Sequence, residues 1–114
     1  MKDSPLINKS KAFALHVLRL CDEVKPSRKS TVIMNQLSRS GTSIGANIRE
    51  AFYGHSKADL TAKLQIALKE CSESEYWIEL LDESECCDDG SILDECIELK
   101  KLLISSINTA KKNP

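Results

Sequence analysis

The segment SGTSIGANIREAF, residues 40–52, combines a composition that disfavours a helix with a spacing that is typical of one. Gly41 and Gly45 each cost about 1 kcal/mol relative to alanine in a helix interior. Ile44 and Ile48 nevertheless lie four residues apart, on one helical face. A phosphate-binding loop would place its glycines in one tight turn after a strand, and no strand pattern precedes them. We therefore predict a helix whose narrow side lets a second helix pack closely, because close approach adds dispersion contacts.

The predicted packing segment has six members: Gly41, Ser43, Ile44, Gly45, Asn47 and Ile48. Ala46 adds another small side chain to the same segment. If the contact between the two closely packed helices buries Asn47, its side-chain amide is expected to form a hydrogen bond with the neighbouring helix, since buried polar groups are hydrogen-bonded.

Apolar residues recur at spacings of three and four in four stretches, as buried helix faces require. The first runs from Pro5 to Val24 and carries Ile7, Ala14, Val17, Leu18, Cys21 and Val24. The second stops near Gly54 and carries Ile33, Leu37, Ser40, Gly41, Ile44, Ile48, Ala51 and Phe52. The third runs from about Ser56 to about Asp82 and carries Leu60, Leu64, Ala67, Leu68, Cys71, Trp77, Ile78 and Leu81. The fourth ends at Lys111 and Lys112 and carries Ile92, Cys96, Leu99, Leu103 and Ile107.

Serine is expected to cap the last two helices. Ser56 stands three residues before Asp59, and Ser91 stands three residues before Asp94, which resembles a capping box. No window alternates apolar and polar residues in the manner of a strand. The sequence therefore predicts an all-α protein, an antiparallel up-down-up-down four-helix bundle with short connections.

The chain of 114 residues is predicted to form a single domain over residues 1–114. The fourth helix carries Leu93, Ile97 and Ile104 outside its main stripe. Two interpretations stay open for this second face, namely deeper burial or a subunit interface, and we favour the interface.

Composition argues against membrane, metal and secreted classes. Apolar residues make up 41% and charged residues 29%, which is typical of globular proteins. No apolar run reaches the ~20 residues of a spanning helix, and the start lacks a signal-peptide pattern, so we expect a cytoplasmic protein. The five cysteines lack C-x-x-C spacing, which predicts no metal site, no cofactor and mostly buried thiols in a reducing compartment.

The net charge of −1 conceals three blocks along the chain. Residues 1–69 hold 12 Lys/Arg and 5 Asp/Glu, residues 70–99 hold 12 acidic and no basic residues, and residues 100–114 hold 4 basic and no acidic ones. A folded bundle with this layout is expected to present separate basic and acidic surfaces, which orient association with a charged partner. Ordinary solvated helix faces are the alternative interpretation.

The segment from Gln36 to Leu81 resembles a family of four-helix-bundle proteins encoded in intervening sequences of bacterial 23S ribosomal RNA. The resemblance rests on Gln36, Leu37, Arg39, Ser43, Ile44, Ala46, Asn47, Ile48, Glu50, Ser56 and Lys57. It implies a bundle that assembles into a ring, a homopentamer. Relatives include accessory proteins of diversity-generating retroelements, which are similar to basic barrels that bind a reverse transcriptase and nucleic acid. Many members carry proline where this chain has Gly45, so a fixed kink in the second helix is not implied.

Three functions follow as hypotheses. The first is a non-enzymatic oligomer that associates with RNA or DNA through phosphate contacts. Its candidate contact residues are Lys25, Arg28, Lys29, Arg39, Arg49, Lys57 and Lys63. A sequence pI near 6.1 and a 4% aromatic content weigh against it.

The second hypothesis is a protein adaptor whose acidic stretch, residues 70–98, docks a basic protein such as a reverse transcriptase. Tyr76 and Trp77 would anchor that contact, although on an apolar helix such residues are more often core. The third is a metal-independent ribonuclease in which His55 acts as a base and Arg49 stabilises phosphate charge. That spacing is unspecific, and His16 carries no signal beyond a surface position, so we expect no enzyme.

Overall fold

The computed structural model describes residues 4–112, and within them it contains four helices and no strand. Their bounds are α1 Pro5–Glu23, α2 Arg28–Phe52, α3 Lys57–Glu83 and α4 Gly90–Lys112. The connections have 4, 4 and 6 residues, as the gaps between these bounds show. The all-α prediction is confirmed, and each predicted helix is present.

The helices pack in the cyclic order of an up-down-up-down bundle. Each helix contacts the next along the chain, and α1 also contacts α4, whereas the diagonal pairs make no backbone contact among the described residues. Short connections between successive helices force neighbours to run antiparallel. The result is a rod of 48 × 21 × 19 Å with the core along its axis. The predicted bundle topology is therefore confirmed.

Side-chain caps fix where the helices begin. Ser27 and Ser30 exchange hydrogen bonds in a capping box at the start of α2, and the Ser56 hydroxyl accepts the Asp59 N–H at 3.1 Å at the start of α3. The predicted serine cap of α4 is wrong. Asp89 holds that place, because its carboxylate accepts both the N–H and the hydroxyl of Ser91 at 3.1 and 2.6 Å.

The buried faces of α2, α3 and α4 follow the predicted stripes closely, but α1 does not. Phe13, Val17 and Leu20 are buried in α1, whereas Leu18 and Cys21, which the stripe included, are exposed. Two apolar stripes lie side by side on this helix, and only one faces the core. The expectation that most cysteines are buried is also wrong, because two of the five are buried, Cys71 and Cys96.

The narrow side of α2 lies against α1. A Cβ added at Gly41 would lie 3.0 Å from Val17 Cγ2, and one at Gly45 would lie 3.3 Å from Ser10 Oγ and 3.8 Å from the Ser10 carbonyl carbon. A larger side chain at either glycine would therefore push against α1 itself. The helix is continuous through Gly45.

The other members of the small-residue segment lie away from the α1 seam. Ile44 and Ile48 are fully buried in the core. Ser43 donates its hydroxyl to the Arg39 carbonyl at 2.7 Å, and Ala46 is exposed. The Asn47 amide donates to the Ser43 carbonyl at 2.9 Å, within its own helix rather than across a seam.

Phe52 is an exception to the predicted core, because it is 38% exposed. Ala51 supplies the last buried position of α2, and Phe52 lies beyond it at the end of the rod. On α4, Leu93 packs against the core, whereas Ile104 is exposed. None of the described helices is long and apolar enough to cross a membrane.

Candidate nucleic-acid interface

The antiparallel fold converts the charge blocks of the sequence into two halves of the rod. Each helix is divided at its midpoint, which assigns residues 5–14, 40–69 and 101–112 to one half and residues 15–39 and 70–100 to the other. We call them the basic half and the acidic half. The α2–α3 turn lies at the tip of the basic half, and the other two turns lie at the tip of the acidic half.

The two halves carry opposite charge. The basic half holds nine Lys/Arg against two Asp/Glu, a net charge of +7. The acidic half holds six Lys/Arg against fourteen Asp/Glu, a net charge of −8. A rod 48 Å long with charges separated in this way has a strong dipolar field, which orients a charged partner toward one end.

The seven predicted contact residues do not form one patch. Arg49, Lys57 and Lys63 lie in the basic half. The remaining four, Lys25, Arg28, Lys29 and Arg39, lie in the acidic half. Arg28 and Arg49 stand at opposite ends of α2, and 21 residues of helix separate them by roughly 32 Å.

Three of the seven are engaged inside the bundle. Arg39 reaches α3, where its two terminal nitrogens lie 3.4 Å from Glu70 and 2.9 Å from Glu73. Lys63 lies 3.2 Å from Glu50, and Lys29 donates to the carbonyl of Ser84 at 3.3 Å. Carboxylates therefore balance the charges of Arg39 and Lys63, whereas Lys29 gains a hydrogen bond but no opposite charge.

Lys25, Arg28, Arg49 and Lys57 are exposed, and within residues 4–112 no carboxylate pairs with them. The same is true of five further lysines of the basic half, which the sequence analysis did not select: Lys11, Lys69, Lys101, Lys111 and Lys112. The antiparallel topology would have indicated these lysines, because it brings the C-terminal lysines of α4 beside the start of α3. The basic half therefore contains most of the unpaired cations.

His16 is a site that the sequence analysis missed. It lies in the α1–α4 seam with a side chain only 12% exposed, its Nε2 is 2.7 Å from Asp89 Oδ2, and its Nδ1 bonds Glu95. Burial lowers the pKa of His16, but the hydrogen bonds and charges of both carboxylates outweigh burial, so the pKa lies above its usual 6.5. When protonated, the imidazolium donates one hydrogen bond to each carboxylate. Only the fold reveals this cluster, since His16 is more than 70 residues from both carboxylates in the sequence.

Arg49 and His55, the pair considered for ribonuclease chemistry, lie near the α2–α3 turn. Arg49 lies in the last turn of α2 and His55 in the exposed turn after it, and no hydrogen bond joins them. The buried thiols of Cys71 and Cys96 have sulfurs 3.9 Å apart, where the hydrogen bond with Cys71 and, after it, burial raise the pKa of Cys96. Among residues 4–112, no three His, Cys, Asp or Glu side chains are grouped to hold a metal ion.

The family model described as 23S rRNA-intervening sequence protein matches residues 2–105, nearly the whole chain. The chain belongs to this family. It is also similar to a solved structure from the S23 ribosomal protein family of Bacteroides thetaiotaomicron, a protein described as having unknown function. That chain is 46% identical, with a TM-score of 0.86 over 95% of this chain and 99% of its own length. No curated protein matches the sequence.

Proposed function

We propose that this member of the intervening-sequence family is a non-enzymatic subunit of a ring-shaped homo-oligomer that associates with nucleic acid through its basic half. The separation of charge carries the proposal: a net charge of +7 is concentrated in one half of each rod. Phosphate groups bind such a surface by displacing counterions, so binding weakens as salt rises. Repetition around a ring multiplies a weak contact through avidity.

Two exposed apolar faces support assembly into a ring. Leu15 and Leu18 are exposed on α1, and Ile66 and Tyr76 are exposed on α3, the helix diagonally opposite. A ring requires a heterologous contact, in which one face of a protomer meets a different face of the next. On α2, Val32 and Phe52 are exposed near opposite ends of the helix, and on α4 Ile104 is exposed, so the α1 and α3 pairs are the stronger candidates. The number five comes from the family resemblance.

The association with nucleic acid is tested by fluorescence anisotropy with labelled RNA and DNA over a salt titration. We expect binding at low salt with a negative slope against log salt. Replacing Arg49, Lys57, Lys111 and Lys112 together by glutamine should abolish it. The matched replacement of four cations in the acidic half, Arg19, Lys25, Arg28 and Lys29, should have little effect. Failure of the native protein to bind any nucleic acid at low salt would overturn the proposal.

The ring is tested by light scattering and by mixing two variants. One variant carries Leu15→Glu and Leu18→Glu on α1, and the other carries Ile66→Glu and Tyr76→Glu on α3. Each variant alone should be monomeric, and an equimolar mixture should give a discrete heterodimer, because one intact α1 face meets one intact α3 face. A monomeric native protein would contradict the ring, and an oligomeric α3 variant would contradict a heterologous contact.

A protein adaptor is the second candidate, and the acidic half favours it. Its net charge of −8 surrounds Tyr76, which is 54% exposed beside the half-buried Trp77. Tyrosine and tryptophan at the centre of a charged surface are frequent anchors of protein interfaces. Binding of a basic partner should then fade with Tyr76→Ala and Glu79→Gln and persist when the basic half is neutralised. The opposite pattern would favour nucleic acid.

A further inference from the structure

Two of the five aromatic side chains lie at the tip of the basic half. Tyr53, in the α2–α3 turn, is 70% exposed, and its neighbour Phe52 is 38% exposed, whereas Phe13 is buried in the core. Neither Phe52 nor Tyr53 belongs to the α1 or α3 face that we assign to ring assembly. The two adjacent side chains leave a small apolar patch exposed at this end of the rod, and most of the Tyr53 ring is open to a ligand.

The backbone that carries Tyr53 is held in place. Its N–H donates to the carbonyls of Arg49 and Glu50, both at 3.2 Å, and the Gly54 N–H donates to Ala51 at 3.3 Å. The turn also lies tightly on α3, because a Cβ at Gly54 would lie 3.1 Å from the Asp59 Cβ. The tyrosine ring is therefore presented from a rigid support, which lowers the entropy cost of binding.

Two cations without a paired carboxylate among residues 4–112 lie close in sequence to Tyr53, one on each side of it. Arg49 lies one helical turn before Tyr53, and Lys57 begins α3 four residues after it. Within the described residues neither is paired with a carboxylate. Of the two carboxylates near the turn, Glu50 is paired with Lys63, and Asp59 lies in the first turn of α3, where it favours the helix dipole. Lysine at the start of a helix opposes the helix dipole, so Lys57 is not placed there for helix stability.

We propose that this turn is a binding subsite for single-stranded nucleic acid, in which an unpaired base stacks on Tyr53 and the neighbouring phosphates contact Arg49 and Lys57. Sequence-tolerant binding of single strands combines aromatic platforms with a positively charged track, and both are present here. A duplex encloses its base faces, so Tyr53 contributes little to duplex binding. The subsite rests on the proposed function, to which it adds the strand state and the contacting groups.

The test is anisotropy at low salt with short labelled oligouridine, oligothymidine and a duplex, using the native protein and variants at one position. Tyr53→Ala should weaken single-strand binding about tenfold, the loss of one base stack, and Tyr53→Phe should retain native affinity. Duplex affinity should not change in either variant. Val32→Ala, at a 64% exposed apolar residue of the acidic half that lies outside the α1 and α3 faces, is the control and should bind like the native protein.

A second measurement separates stacking from charge. Replacing Arg49 and Lys57 by glutamine should reduce the salt slope of single-strand binding by about 1.4, the value for two phosphate contacts. Tyr53→Ala should leave that slope unchanged. The uridine and thymidine arms show whether the strand is RNA, DNA or either.

The outcomes distinguish the subsite from the broader function. If the native protein binds single strands and Tyr53→Ala binds them equally well, the subsite is overturned and the nucleic-acid function stands. Equal losses for single strands and duplex in Tyr53→Ala would also overturn the subsite. If the native protein binds no nucleic acid, the function itself fails.

Discussion

The helix α1 packs against α2 through close steric fit and against α4 through charged hydrogen bonds. Its seam with α2 depends on shape, since Gly41 and Gly45 let Val17 and Ser10 of α1 approach the α2 backbone. Its seam with α4 depends on charge, since His16 bonds Asp89 and Glu95. One helix therefore has a seam that pH and salt scarcely affect and a seam that both can weaken.

This difference predicts how much stability is lost when each of the two helix contacts is disrupted. Overpacking in a close helix contact displaces whole segments, because protein interiors have no spare volume. Loss of a charge pair at a partly exposed seam leaves groups that water can solvate. Substitutions in the α1–α2 seam should consequently cost more than substitutions in the α1–α4 seam, and only the latter should depend on solution conditions.

The largest effect is expected for Gly41→Leu. The new side chain starts at a Cβ position only 3.0 Å from Val17 Cγ2 in a buried site, so α1 must move. We expect a loss of about 3 kcal/mol in the free energy of unfolding, measured by urea denaturation. Gly90→Ala is the control, because a Cβ there meets nothing within 4 Å, and its stability should be native or slightly higher. Native stability of Gly41→Leu would refute the steric seam.

Gly45→Leu should have a smaller effect. Gly45 is half-buried, so part of the leucine side chain can turn toward solvent, but its Cβ lies 3.3 Å from the Ser10 hydroxyl. We expect a loss of about 2 kcal/mol, again by urea denaturation. Gly45→Ala should be close to neutral, because better helix propensity offsets the mild crowding. If the leucine variant were as stable as the alanine variant, α1 would be able to move away from residue 45 at no measurable cost, and the steric contact would be refuted at this position.

The charged seam should respond to pH through His16. The pKa of His16 is raised in the folded protein, so its stabilisation is complete below the unfolded value of 6.5 and is lost as pH rises through the folded pKa. The Ser91 hydrogen bond and, against the effect of burial, the interaction with His16 lower the pKa of Asp89, so its contribution is present above 3.8 and is lost in stronger acid. The seam should be tightest between these two limits.

His16→Gln makes this dependence measurable. We expect the substitution to cost roughly 1.5 kcal/mol at about pH 6, because two charge-assisted hydrogen bonds are lost, and clearly less at about pH 9. The free energies of unfolding of native protein and variant would be compared at both pH values. Gly41→Leu, measured in parallel, should show the same loss at each. An equal cost of His16→Gln at both pH values would contradict the charged state of His16.

The seams also differ in how far the sequence predicts them. Glycines four residues apart within an apolar stripe indicate a close helix contact, because spacing and residue size are local properties. The sequence does not say which helix makes that contact, and the predicted stripe of α1 joins core residues such as Val17 to the exposed Leu18 and Cys21. His16, Asp89 and Glu95 meet only because antiparallel packing brings distant segments together. The charge blocks were visible in the sequence, but their separation into two ends of a rod needed the order of the helices.

The smallest effect belongs to Lys9, which pairs with Glu98 in the same α1–α4 seam as His16. Both side chains are about half exposed, at 48% and 55%, so water screens the pair and its contribution should be at most about 0.5 kcal/mol. Lys9→Gln should therefore lower stability slightly at low salt and not at all at high salt, since screening removes the attraction. The measurement is urea denaturation at two salt concentrations, with Lys11→Gln, an exposed lysine without a paired carboxylate in the described chain, as control. A loss for Lys9→Gln that persists at high salt would mean that the lysine stem packs across the seam, and the α1–α4 contact would then depend on shape as well as charge.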